Sequence, residues 1–476
     1  MTKFTPRPHQ QRMLDAMASN LKGKVICPTG GGKTFTMITD CRRFIDTTFN
    51  NRLRESVPVI LQVAPQLMLS QQLFSEFDTH LSDVQFLHRQ VSSEGVTFTR
   101  SKKMLRGVKQ LSSTTSPAEI RKTYELAQKL GQPLILFTTY ASLERVVESE
   151  IPIAAAYFDE AHNCVSSEAF TSVEAISAQA QHSYFFTATP KLSTSPDGPG
   201  MQNKRVYGKE IAKVTFGELL DMGVIVKPRL HLQRTELSTD DVYASSAHMK
   251  AIVECVDWHE ETYSDFNHKL LFCMDGTQSI RELTDSNFIQ WANTKGYKVL
   301  TIDSTNQGSI DGVGGLTKSK FIAKLNELGE NPDQKLIVLH VRMLGEGIDV
   351  KSFTGVVFLR RTLGSIFCTQ SIGRVIRACP EINKTVGVVS MIEFGNDVGS
   401  VRESVTHVVR TLLESGVPPE VLFNEVEGRG KENEEVEELV NEEELRIREA
   451  IAEWKHDWLM DEVLNTSVKD LASLAF

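Results

Sequence analysis

The sequence predicts an α/β protein with two parallel-sheet domains and a helical C-terminal extension. Apolar, strand-like runs alternate with helix-compatible segments in both halves of the chain, which is the pattern of parallel sheets with covering helices. One such run, Val59–Ala64, ends at a proline and is followed by a predicted helix at 66–77. At 476 residues the chain is also too long for a single core, so we expect two or three domains.

Composition excludes several classes of protein. With 41% hydrophobic and 24% charged residues, the chain resembles an ordinary globular protein. Its net charge of −9 argues against a whole surface that binds polyanions, although a basic groove remains compatible with it. The seven cysteines include no C-x-x-C pair, so neither a zinc site nor a disulfide framework is predicted. No apolar stretch approaches the roughly 18 residues of a membrane span, and we expect a cytoplasmic protein.

The most informative stretch lies between a strand-like run at 24–26 and a helix-compatible segment at 35–45. Strand, glycine-rich turn and helix form a phosphate cradle, because glycines let backbone N–H groups converge on an anion at a helix N-terminus. Lys33 can then reach the β- and γ-phosphates of ATP, and the Thr34 hydroxyl can bind Mg²⁺. The strict motif has glycine at the position of Cys27, and a Lys-Thr pair can also simply cap a helix. The predicted nucleotide-binding residues of this stretch are Pro28, Thr29, Gly30, Gly31, Gly32, Lys33 and Thr34.

Two adjacent carboxylates follow another apolar run, at 151–158. Asp159 and Glu160 lie at a predicted strand end, where burying two charges is costly unless a cation is near. We therefore assign Asp159 to Mg²⁺, and Glu160 to orienting and deprotonating the attacking water. Upstream, the amide of Gln10 can bond to the adenine edge, or it can be the polar cap of a proline-started helix.

A basic segment interrupts the alternation at 85–130. Nine Lys and Arg residues against three Glu give it a net charge of +6 within an acidic chain. It is either a solvated insertion or a surface that contacts the phosphates of a nucleic acid. The second interpretation assigns nucleic-acid contacts to Lys102, Lys103 and Arg106.

Four short motifs occur in order along the first half: RPHQ (7–10), PTGGGKT (28–34), DEAH (159–162) and TAT (187–189). In this order and spacing they resemble the first motor domain of superfamily 2 helicases and translocases. The resemblance implies RecA-like P-loop domains with ATP and Mg²⁺ as cofactors. It also implies coupling roles for His162, Thr187 and Thr189. The residues expected on the nucleic-acid face are Pro65, Gln66 and Thr139.

Two stretches of the second half resemble motifs V and VI of the same family. The first, at 344–349, has glycines that permit close approach of a ligand, and Gly347 and Asp349 are assigned to nucleotide binding. The second, at 370–377, is a predicted helix with Arg374 and Arg377 on one face.

Arginine's planar fork suits phosphate oxygens, although two arginines on a helix are often solvated surface. By resemblance, Gln370, Arg374 and Arg377 face ATP across the interdomain cleft, where the arginines act as fingers. The family often has arginine where this chain has Ser371, which removes one expected contact.

We predict domain 1 at 1–230, a linker at 231–265, domain 2 at 266–420 and an acidic helical extension at 421–476. Domain 2 is expected to contain one helix at 277–295 and a glycine-rich loop at 306–317. Between 425 and 444 the extension has ten Glu against two basic residues, and a protein partner that contacts 425–476 is one interpretation of it.

The predicted function is an ATP-dependent helicase or translocase that unwinds or remodels DNA through contacts without sequence preference. Within the superfamily, the chain looks similar to UvsW-like phage helicases, RecG-like helicases and type III restriction motor domains. An RNA helicase and a non-unwinding motor subunit of a restriction or repair complex are the alternatives.

Overall fold

The computed structural model of the chain describes residues 5–50, 57–65, 67–93, 111–188, 190–193, 198–235, 244–274, 276–302, 307–341, 350–359, 371–394 and 426–427. The chain divides into two compact units, Met1–Thr215 (unit 1) and Phe216–Phe476 (unit 2).

The described part of unit 1 forms a seven-stranded sheet in the order β3-β4-β2-β5-β6-β1-β7, with every pairing parallel. Its strands are β1 Lys22–Ile26, β2 Val59–Ala64, β3 Leu87–Val91, β4 Leu134–Thr139, β5 Ala155–Phe158, β6 His182–Thr187 and β7 Lys209–Lys213. Its helices are α1 Pro8–Ala18, α2 Lys33–Asn50, α3 Leu67–His80, α4 Pro117–Leu130, α5 Leu143–Glu148, α6 Ser167–Gln179 and α7 Lys204–Tyr207. Single 3₁₀ turns lie at Tyr140–Ser142 and Ala161–Val165.

Burial explains why the strand runs are almost wholly apolar. All residues of β2, β4 and β5 are buried, as expected for central parallel strands covered on both faces. Because the strands are parallel, their carboxyl ends lie at one edge of the sheet, and the functional segments begin at that edge.

The segment at 85–130 is not a separate insertion. Its first part is strand β3, which pairs with β4, and its last part is helix α4. Ser116 caps α4, Pro117 is its first residue, and Gly131 ends it with φ 64°. Arg89 is buried and donates to the Thr123 hydroxyl at 2.6 Å. Part of the positive charge therefore serves the fold of unit 1, while Lys102, Lys103 and Arg106 lie outside the described residues.

The described part of unit 2 forms a nine-stranded sheet in the order β12-β11-β10-β13-β9-β14-β15-β8-β16. Its strand pairs are parallel except for two, β10 with β11 and β11 with β12, which are antiparallel. Its strands are β8 Lys227–Thr235, β9 Lys269–Cys273, β10 Tyr297–Ile302, β11 Gln307–Ile310, β12 Val313–Thr317, β13 Lys335–His340, β14 Gly355–Phe358, β15 Val386–Phe394 and β16 Val426–Glu427. Its helices are α8 Phe216–Asp221, α9 Ala244–Thr262, α10 Thr277–Asp285, α11 Phe288–Thr294 and α12 Lys318–Glu330, with a 3₁₀ turn at Pro380–Ile382. Residues 371–375 are also helical and are called α13.

The predicted α/β class with parallel sheets is confirmed, but three details of the second half differ from the sequence prediction. The predicted domain boundary at 230 falls inside β8, which pairs with β15, and the predicted linker contains α9, whose Ile252 and Val256 are core residues. The predicted helix at 277–295 is two helices, since Ser286 interrupts it. The predicted loop at 306–317 contains the β11–β12 hairpin, because Gly312 supplies the positive φ of the turn.

Most of the predicted acidic extension lies outside the described residues. Residues 426–427 form strand β16 beside β8 rather than the expected helix. Within the described residues, every helix is too short or too polar to cross a lipid bilayer.

Candidate nucleotide site

The glycine-rich turn between β1 and α2 has a conformation that requires glycine. Gly30 and Gly32 have φ angles of 87° and 82°, a region that side chains with a Cβ rarely adopt. At Gly32 a Cβ would also lie 2.2 Å from the Gln10 amide nitrogen. The turn therefore brings backbone N–H groups to the N-terminus of α2, where such groups can bind a phosphate.

Lys33, the first residue of α2, pairs with the second carboxylate of the DEAH motif. Its ammonium lies 2.9 Å from Glu160 Oε1, and both side chains are largely buried. Burial opposes the charged form of each group. The neighbouring opposite charge outweighs it, so the pKa of Lys33 is raised and the pKa of Glu160 is lowered. The two side chains therefore stay charged in this pair.

Asp159 follows β5 and has a different electrostatic environment. Burial and the adjacent Glu160 charge raise the pKa of Asp159 to about 7. Its carboxylate accepts a hydrogen bond from the Glu160 backbone N–H at 3.0 Å. The positive charge near Asp159 is too small to keep the pKa of this carboxyl low. Because a carboxylate is a hard oxygen donor, Asp159 fits the role of a Mg²⁺ ligand. Thr34, half-buried at the start of α2, supplies a hydroxyl of the same donor class.

Glu160 itself has left-handed backbone angles, φ 46° and ψ 54°. Such a conformation costs about 1–3 kcal/mol for a residue with a side chain. It is supported by Asn163, whose backbone N–H and side-chain amide both donate to the Glu160 carbonyl. The turn thus holds the Glu160 side chain toward Lys33.

His162 connects Glu160 to the end of β6. Its Nδ1 lies 3.1 Å from the Thr187 hydroxyl and 3.5 Å from Glu160 Oε2. Burial lowers the pKa of His162, so the imidazole is neutral near pH 7. The predicted coupling residues His162 and Thr187 are therefore in contact, while Thr189 lies outside the described residues.

The RPHQ segment reaches the glycine turn through two residues. Gln10 accepts a hydrogen bond from the Arg7 backbone N–H at 2.9 Å, which is the helix-cap interpretation, and its amide nitrogen lies against Gly32. His9 Nε2 lies 2.9 Å from the Gly31 carbonyl oxygen. The sequence prediction missed His9, although its place next to Gln10 in the motif was a usable signal.

Tyr140 is a second residue that the sequence prediction missed. It follows β4, and its hydroxyl donates to the Asp159 backbone carbonyl at 2.8 Å. It therefore holds the strand end that carries both carboxylates. Its only sequence signal was its position directly after a predicted strand.

The remaining predicted residues of unit 1 lie at the same sheet edge or outside the described part. Pro65 directly follows β2, and Thr139 is the buried last residue of β4. Gln66 is outside the described residues. Nucleic-acid contacts by these three residues stay a prediction.

In unit 2 the structure describes both predicted arginine fingers. Arg374 lies in α13 and is buried, and Arg377 follows the helix and is half-buried. Because Arg374 is buried, it does not fit the alternative interpretation, in which both arginines lie on the solvated surface. Gln370, Gly347 and Asp349 lie outside the described residues, and their roles stay predictions.

Taken together, the glycine turn, Lys33 and the paired carboxylates have the arrangement expected of a P-loop nucleotide site at the edge of a parallel sheet. A family model described as "Type III restriction enzyme, res subunit" (ResIII) matches residues 3–192. This match covers the region that contains all four motifs of the first half, and the predicted resemblance to superfamily 2 helicases is confirmed. Residues 3–192 are therefore similar to a superfamily 2 helicase-like domain.

The comparison of sequences also finds the Type I restriction enzyme EcoKI endonuclease subunit of Escherichia coli (strain K12). It is 34% identical over 90 residues, which are 19% of this chain and 7% of that protein.

Two solved structures illustrate the fold. The ATP-dependent Type ISP restriction-modification enzyme LlaBIII bound to DNA is similar at a TM-score of 0.65 and 17% identity, over 88% of this chain and 30% of LlaBIII. Mss116p bound to ssRNA and AMP-PNP is similar at a TM-score of 0.52 and 14% identity, over 88% of this chain and 78% of the Mss116p chain.

Proposed function

We propose that the chain is an ATP-dependent motor that translocates on DNA and unwinds or remodels it, with Mg²⁺ as the metal. The observation that carries this proposal is the Lys33–Glu160 pair, in which a buried cation and a carboxylate meet at 2.9 Å beside a glycine turn. Lys33 is placed to hold a γ-phosphate, and Glu160 is placed to orient and deprotonate the attacking water.

The same pair restrains the base when no nucleotide is bound. Lys33 holds Glu160 in its charged form and lowers its pKa, which makes Glu160 a weak base. When Lys33 turns toward phosphate oxygens, Glu160 loses this partner and its affinity for a proton rises. Lys33 then couples nucleotide binding to activation of the base. Thr34 and Asp159 would hold Mg²⁺, which neutralises phosphate charge when bound.

DNA is proposed over RNA because the family model and the sequence relative come from restriction enzymes, and the LlaBIII structure is bound to DNA. RNA is the alternative, since the Mss116p structure is bound to ssRNA. Sequence-independent contacts would come from the sheet edge near Pro65, Gln66 and Thr139, and from Lys102, Lys103 and Arg106. We place the protein in the cytoplasm.

A second candidate function is a motor subunit that moves on DNA without separating its strands, within a restriction or repair complex. It is favoured by the lengths of the relatives, because the chain spans 30% of LlaBIII and matches 7% of the EcoKI subunit. A protein partner that contacts 425–476 would suit this role.

An ATPase panel with single-stranded DNA, branched DNA and RNA as activators tests the proposal. We expect either DNA to stimulate hydrolysis more than RNA does. Strand displacement by the purified chain then separates a helicase from a non-unwinding motor. Stimulation by RNA alone would assign the chain to RNA, and an ATPase that ignores every nucleic acid would overturn the proposal.

Two variants control the panel. Lys33→Ala should lose ATP turnover and most ATP binding, since the phosphates lose their cation. Glu160→Gln should keep ATP binding and lose hydrolysis, since only the base is removed. Equal loss of nucleotide affinity in both variants would contradict the separate roles of the pair.

A further inference from the structure

Lys384 is a buried lysine of unit 2 that joins two separate backbone segments. It precedes β15, and its side chain is only slightly accessible, with 6% of the residue exposed. Its ammonium donates to the Arg377 carbonyl at 2.8 Å and to the Lys351 carbonyl at 3.2 Å. One acceptor therefore belongs to a predicted arginine finger. The other lies two residues beyond Asp349, at the end of the stretch that resembles motif V.

The burial of this ammonium is unfavourable. Burial lowers the pKa of Lys384 to about 7, and the nearby Arg377 charge acts in the same direction. A methionine would fill a similar volume without burying a charge. What methionine cannot do is donate hydrogen bonds to the two carbonyls. The donor function, rather than packing, therefore distinguishes lysine at this position.

The backbone around Arg377 is held at several further points. Val226 donates to the Ile376 carbonyl at 2.7 Å, and Ala378 donates to the Val224 carbonyl at 3.2 Å. In addition, a Cβ at Gly387 would lie 2.5 Å from the Val375 carbonyl oxygen, so the backbones of β15 and this segment lie in close contact. Residues 375–378 are thus held by two separate segments of unit 2. Lys384 is the contact that also reaches residue 351.

We propose that Lys384 is a positioning residue for Arg377, holding the arginine's backbone in register with the segment that follows motif V. The inference rests on the proposed function, because it takes Arg377 to be the residue that stabilises the transition state of ATP hydrolysis. A finger acts over a narrow range of positions, and displacement of a catalytic group by about 1 Å can cost on the order of a hundredfold in rate. Loss of Lys384 should therefore lower kcat rather than ATP affinity.

Lys384→Met is the test variant, and Lys269→Met is the matched control. Lys269 is also buried in unit 2 and donates to two backbone carbonyls, those of Asn331 and Gln334, both at 2.8 Å. We expect Lys384→Met to lower DNA-stimulated kcat by roughly ten- to a hundredfold. The KM for ATP should stay within about twofold. Lys269→Met should lose comparable thermal stability and keep its kcat.

A double-mutant cycle with Arg377→Ala separates positioning from general structure. If Lys384 acts through Arg377, adding Lys384→Met to Arg377→Ala should change the single-turnover rate by less than about twofold. Equal losses in both backgrounds, or an unchanged kcat in Lys384→Met alone, overturn the inference. Should Lys384→Met fail to fold, Lys384→Leu, which likewise has no donor for the two carbonyls, is measured with the same expectations.

The outcomes also distinguish the inference from the proposed function. Absent ATPase in the unmodified chain contradicts the function itself. Normal turnover in Arg377→Ala rejects this arginine as the finger, and the inference with it, while an intact Lys33–Glu160 mechanism leaves the function standing.

Discussion

The candidate nucleotide site of unit 1 and the buried lysines of unit 2 offset the cost of burying a charge in different ways. In unit 1, Lys33 contacts the carboxylate of Glu160 and keeps a raised pKa despite burial. In unit 2, Lys269 and Lys384 contact backbone carbonyls, and burial lowers their pKa values to about 8 and about 7. An opposite full charge offsets the cost of burial, whereas carbonyl dipoles offset only part of it.

The histidines of unit 2 extend this contrast. His231 and His259 both lie within 3.2 Å of the Ser390 hydroxyl, and His231 stacks on Trp258. Burial lowers the pKa of His231 to about 4, and it also lowers that of His259 well below its ordinary value. Unit 1 therefore maintains charge where phosphate is expected. Unit 2 instead buries neutral histidines, and protonation of these histidines should lower its stability.

The largest expected effect concerns the predicted arginine fingers. Arg377→Ala should lower ATP turnover by about 10³–10⁵, or roughly 4–7 kcal/mol of transition-state stabilisation. ATP affinity should fall far less, because a finger contacts charge that develops in the transition state. The rate is measured by single-turnover hydrolysis, with Arg374→Ala alongside. Near-normal turnover in both variants would reject the assignment of the fingers.

Acid should destabilise unit 2 through its histidines. The folded pKa values of His231 and His268 are about 4, below the ordinary 6.5, so the unfolded chain binds protons first as pH falls. The contribution of these two histidines to the stability of unit 2 is fully present above pH 6.5. It is lost progressively as pH falls from 6.5 to 4. Each histidine contributes about 3 kcal/mol, at about 1.4 kcal/mol per unit of pKa.

Asp159 in unit 1 acts in the opposite direction over this range. Its folded pKa of about 7 lies above the unfolded value, so its contribution favours the folded state as pH falls. Hydrogen-exchange protection factors, corrected for the intrinsic exchange rate at each pH, should therefore fall between pH 6.5 and 5 more for the β9 and β13 amides than for those of β2 and β4. His268→Gln, which can still donate to the Tyr263 carbonyl, should reduce the pH dependence. An equal fall of the protection factors in both units would contradict the contrast.

The smallest expected effect is at Tyr140. Tyr140→Phe removes the hydrogen bond to the Asp159 carbonyl and should cost about 1 kcal/mol of stability with a several-fold lower kcat. Tyr207→Phe is the matched control, because its buried hydroxyl donates to the Pro199 carbonyl at 2.9 Å. The control should lose similar stability and keep its kcat. Identical kinetics in the two variants would assign Tyr140 a structural role alone.

The sequence by itself predicted the parts of the fold and site that depend on local pattern. Buried parallel strands are continuous apolar runs, and their ends converge at one edge, so Lys33, Asp159 and Glu160 could be placed in one site from the sequence alone. His162 and Thr187 were expected beside them only because the family resemblance implied it. The glycine requirement at Gly30 and Gly32 followed from the turn alone. Alternation also predicted most elements of unit 2, although it could not separate a loop from the β11–β12 hairpin.

Only the tertiary structure determined the contacts that hold this site in place. His9 reaches Gly31, Tyr140 reaches the Asp159 carbonyl, and Lys384 joins residues 351 and 377, all through side chains that were given no role from the sequence. Their acceptors are backbone carbonyls, which every residue possesses, so the sequence holds no sign of which carbonyl is bound. The charge of Arg89 was misleading for the same reason, since its partners include the Ser112 and Glu119 carbonyls. Such contacts are set by the packing of distant segments, and residue type alone does not encode them.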